Sequence, residues 1–171
     1  MNLLYAPWRA KYFTFGSTKR ANTNDNCPFC SKFSMQEDME KTHLILKKFE
    51  HCCVMLNQYP YSAGHLLIIP FNHVPDISLL AKHERSELME ATNACMVTLD
   101  KLFACDGINI GINKGKASGG SVQEHVHIHL LPRYIGDTNF LATLANTKPI
   151  SFDLHDIYTK MLEHFRNISL E

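Results

Sequence analysis

The chain has 171 residues, of which 45% are hydrophobic and 20% are charged, a balance typical of ordinary globular proteins. Its 17 lysines and arginines match its 17 aspartates and glutamates, so the formal net charge is +0 and a general affinity for nucleic acid is not expected. The longest apolar run, Leu66–Phe71, is too short to cross a bilayer.

The amino terminus lacks the basic start and the long apolar run of a signal peptide. We therefore expect a cytoplasmic protein with no membrane partner. Its 6 cysteines are then expected to be free thiols or metal ligands rather than disulfides.

Residues 1–26 have no regular pattern and are expected to form an irregular arm. Thr42–Glu50 and Cys52–Asn57 are predicted to form a hairpin of two strands, and Tyr59–Gly64 a turn. His65–Pro70 is predicted to be the third strand, ended by its proline, which cannot donate to a ladder in the middle of a sheet.

The clearest predicted helix is Lys82–Ala104, because its apolar positions recur at intervals that keep one face of a helix apolar. Those positions are Leu88, Thr92, Cys95, Leu99 and Leu102 or Phe103. Gly107–Asn113 alternates isoleucine with polar residues or glycine, which predicts a half-buried strand. A glycine-containing loop, Lys114–Gly120, follows it.

A fifth strand is predicted over His125–Leu131 and is expected to stop at Pro132, and a closing helix is predicted over Ser151–Phe165. Strands joined mostly by short turns, together with two main helices, predict an α+β fold with an antiparallel sheet. We expect a single domain over residues 1–171, with an arm at 1–26, a core at 27–135 and a carboxy-terminal segment at 136–171.

Three histidines alternate with three aliphatic residues along the predicted fifth strand. The histidines are His125, His127 and His129, and the aliphatic residues are Val126, Ile128 and Leu130. Side chains alternate between the faces of a strand, so the histidines are expected to share one face while the aliphatic residues point into the core. Such a row of imidazoles is expected to line an open surface that holds either an anion or a metal ion.

The loop before this strand, Asn113–Ser121, distinguishes these two alternatives. Its glycines let backbone N–H groups converge on phosphate oxygens, and Ser121, Lys114 and Lys116 add further donors. A phosphate-binding loop beside imidazoles favours phosphoryl or nucleotidyl transfer. Taken alone, the loop also fits a flexible hairpin connection.

His125–Leu131 reads His-x-His-x-His followed by two apolar residues, and it resembles the signature of the histidine-triad superfamily. Leu4–Arg9 and Gly136–Phe140 resemble segments of the branch related to bacterial diadenosine tetraphosphate phosphorylases, and Asn57 with Gly64–Pro70 resembles the central hairpin of the family. The resemblance implies a five-stranded antiparallel sheet with two helices. It also implies a homodimer in which the long helix and the sheet edge pair.

The resemblance further implies roles for particular residues. His127 would be the nucleophile that forms a nucleotidyl-histidine intermediate, His129 and His65 would support the phosphate and the attacking ring, and Asn57 would hold ribose hydroxyls. Phosphates or the leaving group would be contacted by Asn113, Gly119, Gly120 and Ser121, the last also as a catalytic group. Ser121–Glu124 is one residue longer than in the fragile-histidine-triad branch, which leaves the leaving-group donor open.

Cys27 and Cys30 form a Cys-x-x-Cys pair, which suits the tetrahedral thiolate and imidazole coordination of zinc. His73 is the best third ligand, and His125 is the fourth by resemblance to superfamily members in which the first triad histidine binds structural zinc. The alternatives are two structural cysteines or a redox dithiol, although the βαβ context of a redox dithiol is not predicted here. Such a zinc ion would tie the amino-terminal segment to the sheet, and the chemistry itself needs no metal.

The favoured function is cleavage of dinucleoside polyphosphates, such as diadenosine tetraphosphate, with water or inorganic phosphate completing the reaction. A neutral imidazole is nucleophilic near pH 7, and its phosphoramidate is readily hydrolysed. A nucleoside phosphoramidase uses the same intermediate and is the alternative enzyme. A nucleotide-binding module without turnover is the alternative outside the enzymes, and no nucleic-acid partner is expected.

Overall fold

The structure is a computed structural model that describes residues 27–33, 40–137, 139–145 and 152–170. The predicted arm at 1–26, which contains the Leu4–Arg9 segment, lies outside these residues, as do Thr138 and Ser151. The division of the whole chain into one domain with three parts therefore stays a prediction.

Helices and strands follow one another along the described chain. They are α1 (Cys30–Phe33), α2 (Glu40–His43), β1 (Ile45–Lys48), β2 (Cys52–Leu56), β3 (Leu66–Pro70), α3 (Lys82–Phe103), β4 (Gly107–Ile112), β5 (Ile128–Arg133), α4 (Phe140–Leu144) and α5 (Leu154–Arg166). The five strands form one antiparallel sheet in the order β1-β2-β3-β5-β4, so that β5 is inserted between β3 and the edge strand β4. The predicted α+β architecture, with a five-stranded antiparallel sheet and two main helices, is confirmed.

One face of the sheet, here called the helix face, packs against α3 and α5. Residues of this face alternate along each strand with residues of the opposite face. Ile68 of β3 and Leu130 of β5 are buried on the helix face. The apolar stripe predicted for α3 is confirmed, since that helix buries Leu88, Ala91, Thr92, Cys95 and Leu99. The hydroxyl of Tyr158 in α5 donates to the carbonyl of Ile45 over 2.9 Å and ties this helix to β1. Among the described helices, none is long and apolar enough to span a membrane.

The opposite face, here called the pocket face, carries the alternate residues of the same strands. Met55, Leu67 and His129 lie side by side on it, because they are register partners across β2, β3 and β5. Residues 27–33 cover part of this face, where Phe29 is buried in a second, smaller core. The sheet therefore separates a helix-covered side from a side covered by a short segment.

The first strand is shorter than predicted. Residues 40–43 form a helical turn, and Leu44, with a left-handed φ of 61°, redirects the chain into β1. The backbone N–H of Leu44 donates to the carbonyl of Lys41 over 3.3 Å, which closes the turn. The prediction of a strand from Thr42 is wrong because apolar alternation does not reveal a single left-handed residue.

The two long helices begin and end where their free backbone groups find partners. The carboxylate of Glu84 accepts the backbone N–H of Ala81 over 2.6 Å at the start of α3, and Ala104, with a left-handed φ of 46°, ends that helix. The carboxylate of Asp153 accepts two backbone N–H groups at the start of α5. This cap explains why α5 begins at Leu154, later than predicted.

Strand β5 runs through Pro132 to Arg133, so the predicted stop at Pro132 is wrong. Pro132 is the register partner of Ile108 in β4, and its carbonyl accepts the hydroxyl of Ser62 over 2.8 Å on the opposite side. The nitrogen of Pro132 faces that same side, beyond the last β3 pair at Leu66. No ladder hydrogen bond is required there, so proline is tolerated inside the strand.

Candidate functional site

A cavity of about 240 Å³ opens on the pocket face. Seven of the residues predicted to serve catalysis or substrate binding line it: Asn57, Asn113, Gly119, Gly120, Ser121, His127 and His129. His65 is fully buried and contacts His129 instead of lining the cavity. The structure therefore gathers the predicted site around one space, with His65 behind it.

The proton of His127 is fixed by the backbone. Its Nδ1 lies 2.9 Å from the carbonyl oxygen of His125, and a carbonyl only accepts hydrogen bonds, so this nitrogen carries the proton. The other nitrogen, Nε2, keeps its lone pair. Burial lowers the pKa of His127 below its ordinary value of 6.5, against the opposing effect of the bond to His125. A neutral imidazole with a free Nε2 is the form in which histidine acts as a nucleophile.

A chain of hydrogen bonds fixes the proton of His129. The backbone N–H of Tyr61 donates to Nδ1 of His65 over 3.1 Å, so His65 carries its proton on Nε2. That nitrogen lies 3.0 Å from Nδ1 of His129, which must accept, and His129 therefore has its N–H at Nε2. The side-chain nitrogen Nδ2 of Asn113 lies 3.4 Å from this Nε2 and cannot accept a hydrogen bond, so His129 donates to Asn113 only with the amide turned to place its oxygen there.

The two imidazoles of the cavity are complementary. Burial, aided by His127, lowers the pKa of His129 to about 4, so both rings are neutral at pH 7. Their centroids lie 4.9 Å apart. The lone pair of His127 can attack the phosphorus of a bound phosphate group, and the N–H of His129 can donate a hydrogen bond to one of its oxygens.

Asn57 follows β2 and lines the cavity with 9% of its surface exposed. Its side-chain oxygen accepts the backbone N–H of Tyr59 over 2.9 Å, and its amide nitrogen lies 3.3 Å from Nδ1 of His65. These contacts hold the amide in one orientation at the cavity wall.

The glycine loop approaches the end of β4 closely. Gly119 has a left-handed φ of 79°, and a Cβ on Gly120 would lie 3.0 Å from the Cβ of Asn113. Glycine is thus favoured at both positions, at Gly119 by the left-handed backbone and at Gly120 by the close approach of Asn113. Lys114 was predicted to add a phosphate donor, but its ammonium group pairs with Asp76 and does not line the cavity.

The four predicted metal ligands converge beside this cavity. Cys27, Cys30, His73 and His125 place their ligand atoms within 4.8 Å of one another. Sγ of Cys30 lies 3.2 Å from Nδ1 of His73, and Sγ of Cys27 lies 3.3 Å from Nδ1 of His125. Two thiols and two imidazoles at these separations fit the tetrahedral shell of a metal ion such as zinc.

His125 is held in the tautomer that a metal ligand needs. Its Nε2 donates to the carbonyl of Pro70 over 2.8 Å, which leaves Nδ1 free to bind. Burial lowers the pKa of His125 to about 4, so the ring is neutral. Burial raises the pKa of the Cys30 thiol to about 11, with Cys27 adding to the shift, so an ion that binds here must displace thiol protons.

The predicted open surface is wrong for the first two histidines, because His125 is 0% and His127 is 6% exposed. Phe29, between the two cysteines, places its ring 5.6 Å from that of His125 and 5.1 Å from that of His127. Both histidines also precede β5, which begins at Ile128. The aliphatic residues that alternate with them pack into the helix-face core as predicted. One short segment thus walls both the metal cluster and the cavity.

Several cavity residues belong to no chemical motif, and sequence reasoning missed them. They include Phe29, Lys32, Met55, Gln58, Tyr61 and Leu67. Met55 and Leu67 are detectable in principle, since the period of two in their strands places them on the same face as His129. Burial lowers the pKa of the Lys32 ammonium group, and no sequence pattern marks this residue.

The family described as HIT domain, the histidine-triad family, matches residues 38–136. The chain belongs to the HIT family. A Mycobacterium tuberculosis protein named AP-4-A phosphorylase is 30% identical over 153 residues, which cover 90% of this chain and 78% of that relative. A Schizosaccharomyces pombe protein named bis(5'-nucleosyl)-tetraphosphatase (asymmetrical) is 34% identical over 82 residues, 48% of this chain and 44% of that relative. These names confirm the prediction of a HIT-family enzyme.

Solved structures share the HIT fold. A Zn-bound histidine triad family protein from Mycobacterium smegmatis superposes with a TM-score of 0.66 at 22% identity, covering 84% of this chain and 95% of that chain. A HIT family protein from Bacillus anthracis superposes with a TM-score of 0.56 at 28% identity, covering 67% of this chain and 77% of that chain. The predicted HIT-like fold is confirmed.

Proposed function

We propose that this HIT protein cleaves dinucleoside polyphosphates, such as diadenosine tetraphosphate, at the α-phosphate through His127. The observation that carries the proposal is a pair of neutral rings in one cavity: His127 with a lone pair at Nε2 and His129 with an N–H at Nε2. The relatives named AP-4-A phosphorylase and bis(5'-nucleosyl)-tetraphosphatase support this substrate class.

The proposed reaction has two displacements. Nε2 of His127 bonds to the α-phosphorus, and the bond from that phosphorus to the bridging oxygen breaks, so that the remaining polyphosphate leaves with the electron pair. The positive charge on the ring is stabilised at Nδ1–H by the carbonyl oxygen of His125. Water or inorganic phosphate then attacks the phosphoramidate and releases His127.

The surrounding residues divide the substrate between them in this proposal. His129 donates from Nε2 to a non-bridging oxygen of the α-phosphate, and Asn57 binds ribose hydroxyls. The leaving polyphosphate is bound by Asn113, Gly119, Gly120 and Ser121, with the Ser121 hydroxyl as a proton donor to it. His65 does not line the cavity, so it is a positioning residue that keeps the proton of His129 on Nε2.

Product analysis tests the proposal. Purified protein is incubated with diadenosine tetraphosphate, with and without inorganic phosphate. The His127→Ala variant is compared with the matched control His155→Ala, which changes an exposed histidine of α5. We expect His127→Ala to lose about a thousandfold or more in kcat and the control to keep wild-type turnover.

The products identify the second acceptor. ADP and ATP formed only with phosphate indicate a phosphorylase, and AMP and ATP formed without it indicate a hydrolase. If the protein turned over nucleoside phosphoramidates but not dinucleoside polyphosphates, the proposed substrate would be wrong, and His127 would remain the proposed nucleophile. Undiminished turnover by His127→Ala would overturn the proposal, and tight nucleotide binding without any product would favour a binding module.

We also propose that Cys27, Cys30, His73 and His125 bind a structural zinc ion. The proposal is supported by the convergence of their ligand atoms within 4.8 Å and by the description of the structurally similar Mycobacterium smegmatis protein as Zn-bound. The ion would tie the segment 27–33 to the sheet, outside the reacting atoms. Metal analysis of the purified protein measures its presence, and a Cys27→Ser variant that retained zinc at full occupancy would contradict this ligand set.

A homodimer is a further proposal. β4 is one of the two edge strands of the sheet, and its Ile110 and Ile112 are 47% and 41% exposed, while Met89 of α3 is 52% exposed. Edge strands and exposed apolar residues are surfaces that proteins usually cover. Light scattering during size-exclusion chromatography should give a dimer for the wild type and a monomer for Ile112→Lys, and a wild-type monomer would contradict the proposal.

The cysteines support a cytoplasmic location, which we also propose. All 6 cysteines of the chain lie within the described residues and are free. Free thiols in this number are typical of a reducing compartment. Fractionation of cells that make the protein, followed by immunodetection, measures its location.

A further inference from the structure

A second cluster of metal-ligating side chains lies between the β1–β2 hairpin and α3. Glu50 and His51 come from the hairpin and Glu87 comes from α3, and one ligand atom from each lies within 4.8 Å of the others. His51 contacts α3, which covers the helix face, so this cluster is separate from the cysteine-containing cluster. We propose that it is a second binding site for a divalent transition-metal ion of the zinc type.

The spacing between His51 and Glu50 is that of an ion pair, and it is also close to the spacing of two ligands on one ion. Nε2 of His51 lies 3.7 Å from Oε1 of Glu50, which is too long for a hydrogen bond. Two ligands about 2.1 Å from one tetrahedral ion lie roughly 3.4 Å apart, so a small closure of this gap brings both onto a single ion.

The carboxylate of Glu87 is oriented by hydrogen bonds from its neighbours. Its Oε1 accepts the backbone N–H of His51 over 2.6 Å, and the thiol of Cys52 also donates to this carboxylate. Burial raises the pKa of this thiol, and Glu87 adds to the shift. Hydrogen bonds of this kind orient a ligating carboxylate. Among the described residues no lysine or arginine forms an ion pair with Glu87, so its charge has no fixed cation of the protein beside it.

His83 lies beside this group of three ligand side chains. It precedes Glu87 by one helical turn, so both side chains project from the same side of α3. Its ring centroid lies 4.7 Å from that of His51, and the two rings are tilted by 59°. An imidazole beside two carboxylates favours zinc, copper and nickel among divalent ions, and carboxylates alone would favour calcium or magnesium. The bound ion would clasp the hairpin to the first turns of α3.

Calorimetric titration of the metal-free protein with Zn²⁺ tests this site. We expect two classes of binding: a tight class at the cysteine cluster that releases thiol protons, and a weaker class with little proton release. Titrations in buffers of different ionisation enthalpy separate the two. Cys27→Ser should remove the tight class, and His51→Ala should remove the weaker one, with an affinity loss of about tenfold or more.

The controls keep the result interpretable. Glu87→Gln keeps an acceptor for the backbone N–H of His51 and should also lose the weaker class, whereas His155→Ala should keep both. The second equivalent of zinc should raise the melting temperature of the wild type but not of His51→Ala. The proposal would be overturned if the wild type showed only one class of zinc binding, or if the weaker class were unchanged in both His51→Ala and Glu87→Gln.

Discussion

The two faces of the sheet are built from alternate residues of the same strands. On the helix face these residues are mostly aliphatic, and the 22-residue α3 and the 13-residue α5 cover them. On the pocket face the same period of two places His129 beside Met55 and Leu67, under the short segment 27–33. A shift of one position along β5, from Ile128 to His129, thus separates a core residue from a residue of the cavity.

The two faces also differ in the interactions that attach α3 and α5 to one face and the segment 27–33 to the other. The helices are held by the burial of many side chains, which is the dominant stabilising term in folding. The segment 27–33 buries Phe29, packs Phe33 against Phe71 and carries Cys27 and Cys30 of the cysteine-containing cluster. Changes on the helix face should therefore alter stability without altering chemistry, and changes on the pocket face should do the opposite, except at the metal cluster.

Leu99→Ala provides the strongest test of this separation. Leu99 is 0% exposed on the helix face, and its truncation should cost about 2–5 kcal/mol of unfolding free energy in urea. Its kcat/KM, measured where the protein is still folded, should stay near the wild-type value. Glu90→Ala, on the exposed side of the same helix, is the control and should change stability by about 0.5 kcal/mol or less. A parallel loss of activity in folded Leu99→Ala would break the comparison.

Metal removal should affect both properties at once. Loss of the proposed zinc ion should release the segment that carries Phe29 and Lys32, and both residues line the cavity. We expect chelation, or Cys27→Ser, to lower the melting temperature and to weaken binding of diadenosine tetraphosphate by about tenfold. Binding is measured calorimetrically in the His127→Ala background, so that no turnover interferes. Cys105→Ser, a change at a partly exposed cysteine outside the cluster, should leave affinity unchanged.

His65 tests whether a buried residue of the pocket face acts through its neighbour. His65→Leu removes the donor to Nδ1 of His129, and we expect kcat to fall by about tenfold, the equivalent of one hydrogen bond, with little change in KM. His65→Gln keeps an N–H donor and should recover part of that loss. An equal loss in both variants, accompanied by a matching loss of stability, would indicate a purely structural role.

The pH dependence gives the smallest effect. The pKa of His129 is about 4 in the folded state against 6.5 for an unperturbed histidine, and that of His127 is also lowered. The unfolded chain therefore binds more protons between these values, and stability should fall as the pH drops from about 6.5 toward 4. The acid limb of kcat/KM should have its midpoint below 6.5, because His127 must be neutral to attack. A midpoint at or above 6.5 would contradict the burial of the nucleophile.

The sequence predicts those elements whose periodicity comes from having one buried side. α3 falls within one residue of its predicted ends for this reason. β4 also falls within one residue of its predicted ends, although none of its residues is buried and the predicted half-buried strand is wrong in that respect. The start of β1 was not predictable, because it depends on one residue, Leu44, in a left-handed conformation. The continuation of β5 through Pro132 was not predictable either, because it depends on where the neighbouring β3 ends.

The candidate site divides in the same way. His127, His129 and the glycine loop could be recognised because phosphate chemistry requires particular residue types at particular spacings. The burial of His127 could not be foreseen, since it results from Phe29, which reaches it from a remote part of the chain. Lys32 was missed because a lysine carries no sign in the sequence of whether it faces solvent or a cavity.

The separation of Cys27 from His125 by 98 positions has a consequence for biosynthesis. β1, β2 and β3 pair with their sequence neighbours, whereas β5 enters between β3 and β4 after β4 has been made. Chains emerge from the ribosome amino terminus first, and pairings distant in sequence form late. A nascent chain that ends before residue 125 holds a three-stranded meander, two unliganded thiols and a β4 strand without its partner. The proposed four-ligand metal site can therefore be completed only after His125, just ahead of β5, has been synthesised.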